Sequence, residues 1–384
     1  ELAAAAAAGG EVDNPRLDAL QRAVRDLVGT MAPMGVQMLS VQLSEQFTRD
    51  DDPARREWAA WFLEQFFAGC PADFSPQLPL YLKDLLQRLD DSSKQVIFAT
   101  GRALKALTAA VPVEELVKHL TFCRDLISSL ASDKRHRPVA AGGGGGRPVQ
   151  LPGLGVPKAL DPVLPMYLQG LKHGTPPVRE AAAAGLGELV ELTAQDVLKP
   201  YLISITGPLI RVMGEKFPSG VKAAIVGTLT LVLARGGVAL RPFVPQLQIT
   251  FVKALSDSAK LVRTRAALAL GRLMALSSRV DPLVAELSGA AASAGGDPAV
   301  QASLLHALGD VVCQGGAKAK QPATLEGAAD AAAALVSSAD EDVRAAAAAA
   351  LASALGLVDP ARAADLFAGA VLGAPMSAGM EEWP

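Results

Sequence analysis

Aromatic side chains are scarce in this chain: Phe, Trp and Tyr together make up 4% of 384 residues, although half of all residues are hydrophobic. So little aromatic volume excludes a thick mixed core and favours thin layers of helices in close contact. Histidine and cysteine are scarcer still. None of His119, His136, His173 and His306 stands at metal-ligand spacing from a cysteine or carboxylate, and Cys70, Cys123 and Cys313 are odd in number and far apart. They read as reduced, largely buried thiols of an intracellular protein. No Gly-Lys-Ser/Thr loop follows the glycine run Gly142–Gly146, so phosphate-loop chemistry is excluded. The acidic clusters Asp50-Asp51-Asp52 and Asp90-Asp91 fit helix starts better than acid–base catalysis. No cofactor, metal, small-molecule substrate or catalytic group is expected.

A large excess of either charge is missing too. A formal net charge of −3 excludes nucleic-acid binding by bulk electrostatics. The longest apolar run, Ala223 to Ala234, has 12 residues between Lys222 and Arg235, short of the roughly 20 a bilayer requires. There is no initiator Met or signal peptide, and Glu1-Leu2 before an alanine run reads as the start of a fragment.

What the chain has in quantity is helical periodicity. Asn14 to Met31 reads as a first helix, capped by Asn14 with Pro15 in its first turn and Leu17, Leu20, Val24 and Leu27 on one face. About twenty less regular residues follow. Asp52-Pro53 then opens a helix over Ala54 to Phe67, whose Trp58, Phe62 and Phe66 form one stripe, either a peptide groove or, more simply, core. Helices over Leu78–Leu89, Lys94–Thr108 and Val113–Leu130 come next. Residues 132–158 break the pattern with the basic cluster Ser132 to Arg137, five glycines and Pro148, Pro152 and Pro157. They are expected to be a disordered Gly/Pro-rich insertion, either a solvated loop or a basic contact for RNA or an acidic partner.

Beyond the insertion a phrase recurs at the start of every second helix: Val178-Arg179, Val221-Lys222, Val262-Arg263, Val300-Gln301 and Val343-Arg344. The valines are 43, 41, 38 and 43 residues apart. A two-helix unit of roughly 40 residues is the period of HEAT and armadillo arrays. The valine buries, the following cation pairs with an acidic turn, and Ala-Ala or Leu-Gly later in the helix permits close approach to the next repeat. Pro242 and Pro245 mark a first turn or a kink, and the run Ala345 to Ala350 predicts looser packing in the last repeats. The expected fold is an all-α, right-handed HEAT/armadillo-like solenoid of about eight helical pairs. Its parts are residues 1–131 (HEAT-like helices), 132–158 (insertion), 159–375 (regular repeats) and 376–384 (a frayed end).

Three phrases carry a resemblance: Ile-Thr-Gly-Pro-Leu-Ile-Arg (205–211), Arg-Pro-Phe-Val-Pro-Gln-Leu-Gln (241–248) and Val280-Asp281-Pro282-Leu283. In this order and at these spacings the chain resembles the Gcn-type (general control) translational activators. These are very long eukaryotic HEAT-repeat proteins that ride on translating, stalled or collided ribosomes. They are needed to activate the kinase of the initiation factor's alpha subunit. The likeness is specific over about 160–290 and weaker over 52–130. It implies a piece of the C-terminal third of the family's chain, the region that binds the kinase's RWD domain, in a cytoplasmic, ribosome-associated protein active in amino-acid starvation. It also implies that Arg211, which matches the arginine of the Gly-Pro-Leu-Ile-Arg phrase, contacts the kinase, with Lys216, Lys222 and Arg241 as neighbours. The residues alone leave Arg211 open between a docking anchor and a structural partner of Glu188, Glu191 or Glu215. Arg263 and Arg265 read as extensions of the stripe or as ladder residues between repeats. Without the resemblance, the chain fits a generic HEAT scaffold of the transport-receptor or phosphatase type.

Overall fold

Helix starts set the frame. Asp52 accepts from the Ala54 amide at 3.0 Å, Asp297 from Ala299 and Val300 at 3.0 and 3.3 Å, and Asp340 from Val343 at 3.0 Å. Each carboxylate satisfies an amide that the first helical turn leaves unpaired, and Pro53 and Pro298 sit in that turn, where no donor is lost. The computed structural model describes residues 15–49, 51–136, 150–293 and 297–372, which contain α- and 3-10 helices and no strand. Asn14, Asp50, the glycine run and residues 376–384 lie outside them.

The chain divides into two units, Glu1–Tyr201 and Leu202–Pro384. In the first, the helices Pro53–Gly69 and Lys94–Ala110 make the most extensive helix–helix contact. Phe66, Phe67, Phe74 and Tyr81 fill the core beside them, with ring centroids 5.0 to 6.2 Å apart. The expected aromatic stripe splits. Phe66 is fully buried, whereas Trp58 is 46% exposed and meets Trp61 edge-on at 5.1 Å.

Three further expectations for this unit are corrected. The residues expected to be irregular form the helix Pro33–Arg49. Its inner face carries Ser40, which hides the apolar periodicity; the serine hydroxyl is buried and bonded to the Tyr81 hydroxyl. The helix expected over Val113–Leu130 is two helices, Val113–Lys118 and Leu120–His136. His119 donates its amide to Leu116 at 3.0 Å, a tight turn that buries both Leu116 and Leu120.

The third concerns the segment 132–158, which is not wholly an insertion. Its start continues a helix to His136, and its end, from Gln150, is packed. Leu151 and Leu154 are fully buried, and a Cβ on Gly153 would lie 2.8 Å from the Leu89 backbone. The Leu151 amide bonds to the Leu192 carbonyl, and the Ala194 amide to the Leu154 carbonyl, both at 3.3 Å. Gly153 against Leu89 thus joins chain from both sides of the glycine run, and the boundary between units falls later, after Tyr201.

In the second unit, first helices (Leu202–Met213, Val244–Ala254, Val280–Ser293, Pro322–Ala333) alternate with second helices (Ser219–Gly236, Lys260–Leu273, Pro298–Gly315, Glu341–Leu355). Successive second helices pack on one another. The Leu-Gly phrase works as expected: a Cβ on Gly271 would lie 2.8 Å from Asp310 Cβ, and one on Gly309 3.2 Å from Ala350 Cα. Ala346, Ala347 and Ala350 are buried in that contact. The alanine run therefore packs closely rather than loosely, because a methyl group lets two backbones approach.

Pro242 falls in the 3-10 turn Gly237–Phe243 and Pro245 in the first turn of the next helix. Gly237 takes φ +50, a left-handed conformation that glycine adopts without strain, and ends the preceding helix. Within Ser219–Ala254 an 18-residue window is apolar enough for a membrane span, at mean hydropathy 1.8; half of that window is buried inside the protein, and the helix breaks at Gly237.

Candidate functional site

The phrase residue in the fourth position of each second helix turns out to be structural. Arg179 donates to the Gly174 and Leu171 carbonyls at 2.7 and 2.8 Å, and Arg344 to those of Ser338 and Ala339, both at 2.9 Å. Arg263 donates to the Asp257 and Ser258 carbonyls at 2.8 and 3.0 Å and to the Ser303 hydroxyl of the next repeat at 3.0 Å. These arginines cap carbonyls that the end of the preceding helix and its turn leave unpaired. The expected pairing with an acidic turn is seen at Lys222, whose ammonium lies 2.7 Å from Asp257, 35 residues on.

The first unit repeats that spacing. Arg56, also fourth in its helix, grips Asp91 through Nε and a terminal nitrogen at 2.9 and 3.0 Å, again 35 residues on. Sequence reasoning missed Arg56 because the residue before it is Arg55, not valine. Burial acts to raise the carboxyl pKa of Asp91 and Asp257, but hydrogen bonds from these cations and from the Ser93 and Ala259 amides hold both below the usual carboxylate value.

Arg211 behaves differently. It is exposed, the tenth residue of Leu202–Met213, and no ion pair or hydrogen bond engages its side chain among the described residues. Of its suggested structural partners, Glu188 instead accepts from Arg124 at 3.1 Å. Ile203, Gly207 and Arg211 recur every fourth residue on the outward face; Ile203 is 62% exposed, and a Cβ on Gly207 would meet open space. The adjacent first helix, Val244–Ala254, repeats the register with Pro245, Ile249 and Lys253. Lys253 is thus the tenth residue of its helix, as Arg211 is of its own. It too is exposed and without an ion pair among the described residues. The sequence reading missed it, because only the two helix starts reveal the shared register. Lys216, exposed in the turn after Arg211, completes a basic edge of three side chains.

Two of the named neighbours do not share that edge freely. Lys222 is tied to Asp257. Arg241 is exposed but precedes its first helix by three residues, at the opposite end of the layer. Twelve register positions separate it from the level of Arg211, about 18 Å at 1.5 Å per residue. Arg263 and Arg265 are structural as well; Arg265 donates to the Ala223 carbonyl one repeat back at 2.6 Å. Among the described residues, no group of three His, Cys, Asp or Glu side chains is gathered to hold a metal. The cysteines are free but not uniformly buried: Cys123 is enclosed, its thiol pushed up to about 12 by burial, whereas Cys313 is exposed.

Paired helices tied by cations at a fixed position, with a second, unpaired set of cations facing outward, define a HEAT-repeat protein that presents surface. The comparisons narrow this. Residues 1–158 match the family described as "Stalled ribosome sensor GCN1-like, HEAT repeats", and residues 163–193 match the HEAT repeat. The Arabidopsis thaliana protein ILITYHIA is 40% identical over 311 residues, 81% of this chain and 11% of that protein. The Homo sapiens "Stalled ribosome sensor GCN1" is 37% identical over 71% of this chain and 10% of its own length. The Saccharomyces cerevisiae "eIF-2-alpha kinase activator GCN1" is also 37% identical, over 67% and 9%. The chain belongs to this GCN1 family. It spans about a tenth of the length of these relatives. Importin beta aligns over 92% of this chain and 52% of its own at 15% identity and TM-score 0.42.

Proposed function

We propose that this chain is a docking segment, from the C-terminal third, of a ribosome-associated translational activator. Its outward first-helix layer around Arg211 receives the RWD domain of the initiation-factor alpha-subunit kinase. The names of the relatives, a stalled-ribosome sensor and an eIF-2-alpha kinase activator, support the coarse role. The observation that carries the finer one is Arg211 itself: it matches the family phrase, is exposed, and has no side-chain partner among the described residues, while the cations at the fourth position of the second helices are engaged. A planar guanidinium with its donors unspent is a favoured anchor at protein interfaces. Lys253 and Lys216 extend the same edge and steer an acidic partner surface. The whole protein would act in the cytoplasm on ribosomes, coupling their stalling or amino-acid starvation to the kinase; this segment acts as a rigid display and performs no chemistry.

The test is titration calorimetry of the kinase's RWD domain against the chain and its variants. Arg211→Ala should weaken binding at least tenfold and Lys253→Ala about threefold, with helicity and Tm unchanged. Lys222→Ala should instead lower stability by about 1 to 2 kcal/mol and leave binding near its original strength. Full-strength binding by Arg211→Ala, or unfolding in its place, sinks the assignment.

A further inference from the structure

A groove lies at the other edge of the first-helix layer. The Val244–Ala254 and Val280–Ser293 helices make little direct contact, and a groove of about 970 Å³ opens beside them. Val244, Pro245 and Ile249 line it from one side, and Ile249 is 58% exposed. Four cations surround this apolar floor: Arg241, Arg279, Lys318 and Lys320. No carboxylate lines it. The closest acid in sequence, Asp281, accepts the Lys320 and Gln321 backbone amides at 3.0 to 3.1 Å, and these hold its carboxyl below the ordinary value. Lys318 donates to the Met274 and Ala275 carbonyls at 2.7 and 3.0 Å, which fixes its charge at the rim. Arg241, Arg279 and Lys320 make no side-chain ion pair among the described residues.

A chain of net charge −3 that gathers four cations around one groove holds them against their mutual repulsion. An anion with apolar substituents relieves that repulsion and covers Ile249 together. We infer that the groove binds an extended acidic protein segment bearing an apolar side chain, with the carboxylates on Arg279 and Lys320 and the apolar group on Val244, Pro245 and Ile249. A single strand of RNA is the poorer fit, because no aromatic side chain lines the groove for a base to stack on. The groove's rim at Arg241 lies about 18 Å along the helix direction from the level of Arg211. Its floor adjoins the Lys253 end of the proposed kinase surface, since Ile249 stands one turn from Lys253.

The test is fluorescence anisotropy of the 384-residue chain with a fluorescein-labelled ten-residue peptide of glutamates and aspartates around a central leucine. Saturable binding should weaken at least tenfold in Arg279→Glu/Lys320→Glu and about fivefold when serine replaces the leucine. It should also fall with added salt and persist undiminished in Arg211→Ala, whatever that variant does to the kinase domain. The charge-reversed side chains are exposed, and an unchanged circular dichroism spectrum shows that the fold survives. The proposal is overturned if no saturation occurs up to about 1 mM peptide, or if the charge-reversed variant binds as before. It is equally overturned if a ten-nucleotide RNA binds more tightly than the peptide with the same sensitivity to the variant.

Discussion

The Arg56–Asp91 pair gives the sharpest energetic prediction. Its side chains are 9% and 1% exposed, and Arg88 adds a third contact to the same carboxylate at 3.1 Å. Asp91→Ala deletes an anion that three groups share: the Arg56 fork, Arg88, and the Ser93 amide that it meets at 2.9 Å at the head of the next helix. Removing one partner of a buried pair leaves the other charge unsatisfied and costs about 3 to 5 kcal/mol. Replacing both, as Arg56→Met/Asp91→Ala, removes the stranded cation and should recover more than half of that loss, since the intact pair itself offsets much of its own desolvation. Lys222→Ala, in the less deeply buried counterpart pair, should lose less.

Urea unfolding followed by tryptophan fluorescence suits the measurement, because Trp58 and Trp61 lie on the Arg56 helix, Pro53–Gly69. A repeat array need not unfold in one step, so this local probe reads the transition that matters. A loss below about 1 kcal/mol for Asp91→Ala, or a double variant as damaged as the sum of the two single ones, would refute the reasoning.

Two other outcomes follow from the same geometry. Asp91 and Asp257 are held below their ordinary pKa, so their contribution is complete above about pH 4 and drains away as pH falls through the lowered values. Buried Asp84 and half-buried Glu188 and Asp310 are pushed the other way by desolvation and are eased by the first protons. Urea midpoints should therefore hold or rise slightly from pH 6 to 5, then drop below pH 4, with a shallower drop in Asp257→Asn. Gly271→Ala should lower Tm: the added methyl meets Asp310 Cβ at 2.8 Å and its carbonyl oxygen at 3.1 Å. Such overpacking costs about 1 to 3 kcal/mol, more than the roughly 1 kcal/mol that alanine gains in helix propensity. A raised Tm would mean that these second helices are not in contact there.

The repeat was legible because it is local. Valine at one position recurs every 40 or so residues, with an aspartate at the helix start in the last three of these helices and a Leu-Gly after it in three of the five. What the sequence hid is what depends on a partner far along the chain. Ser40 spoils an apolar stripe until Tyr81, 41 residues away, is seen to take its hydroxyl. The packed end of the Gly-rich segment looked like linker because Leu151 and Leu154 show their burial only once Leu89 and Leu192 are beside them. The alanine run looked loosely packed when judged by side-chain volume and proved close when judged by backbone approach. Arg211 could be singled out from its phrase, but Lys253, which shares its register, could not, and Lys222 was grouped with Arg211 because the acid it pairs with stands 35 residues on.

The arrangement of cations explains why the candidate site falls on one layer. In the second helices a basic side chain at the fourth position stands beside the open carbonyls of the preceding helix end and beside the next repeat's turn. Arg56, Arg179, Lys222, Arg263 and Arg344 all find partners there. At the tenth position of the first helices, Arg211 and Lys253 face solvent in one register and make no ion pair among the described residues. The first set acts through folding; the second, on the proposed reading, acts through a partner. Holding an unpaired cation in register over two repeats adds nothing to stability. An acidic surface laid across both first helices meets the two charges at once, and the spacing that the solenoid imposes becomes the spacing that the partner must match.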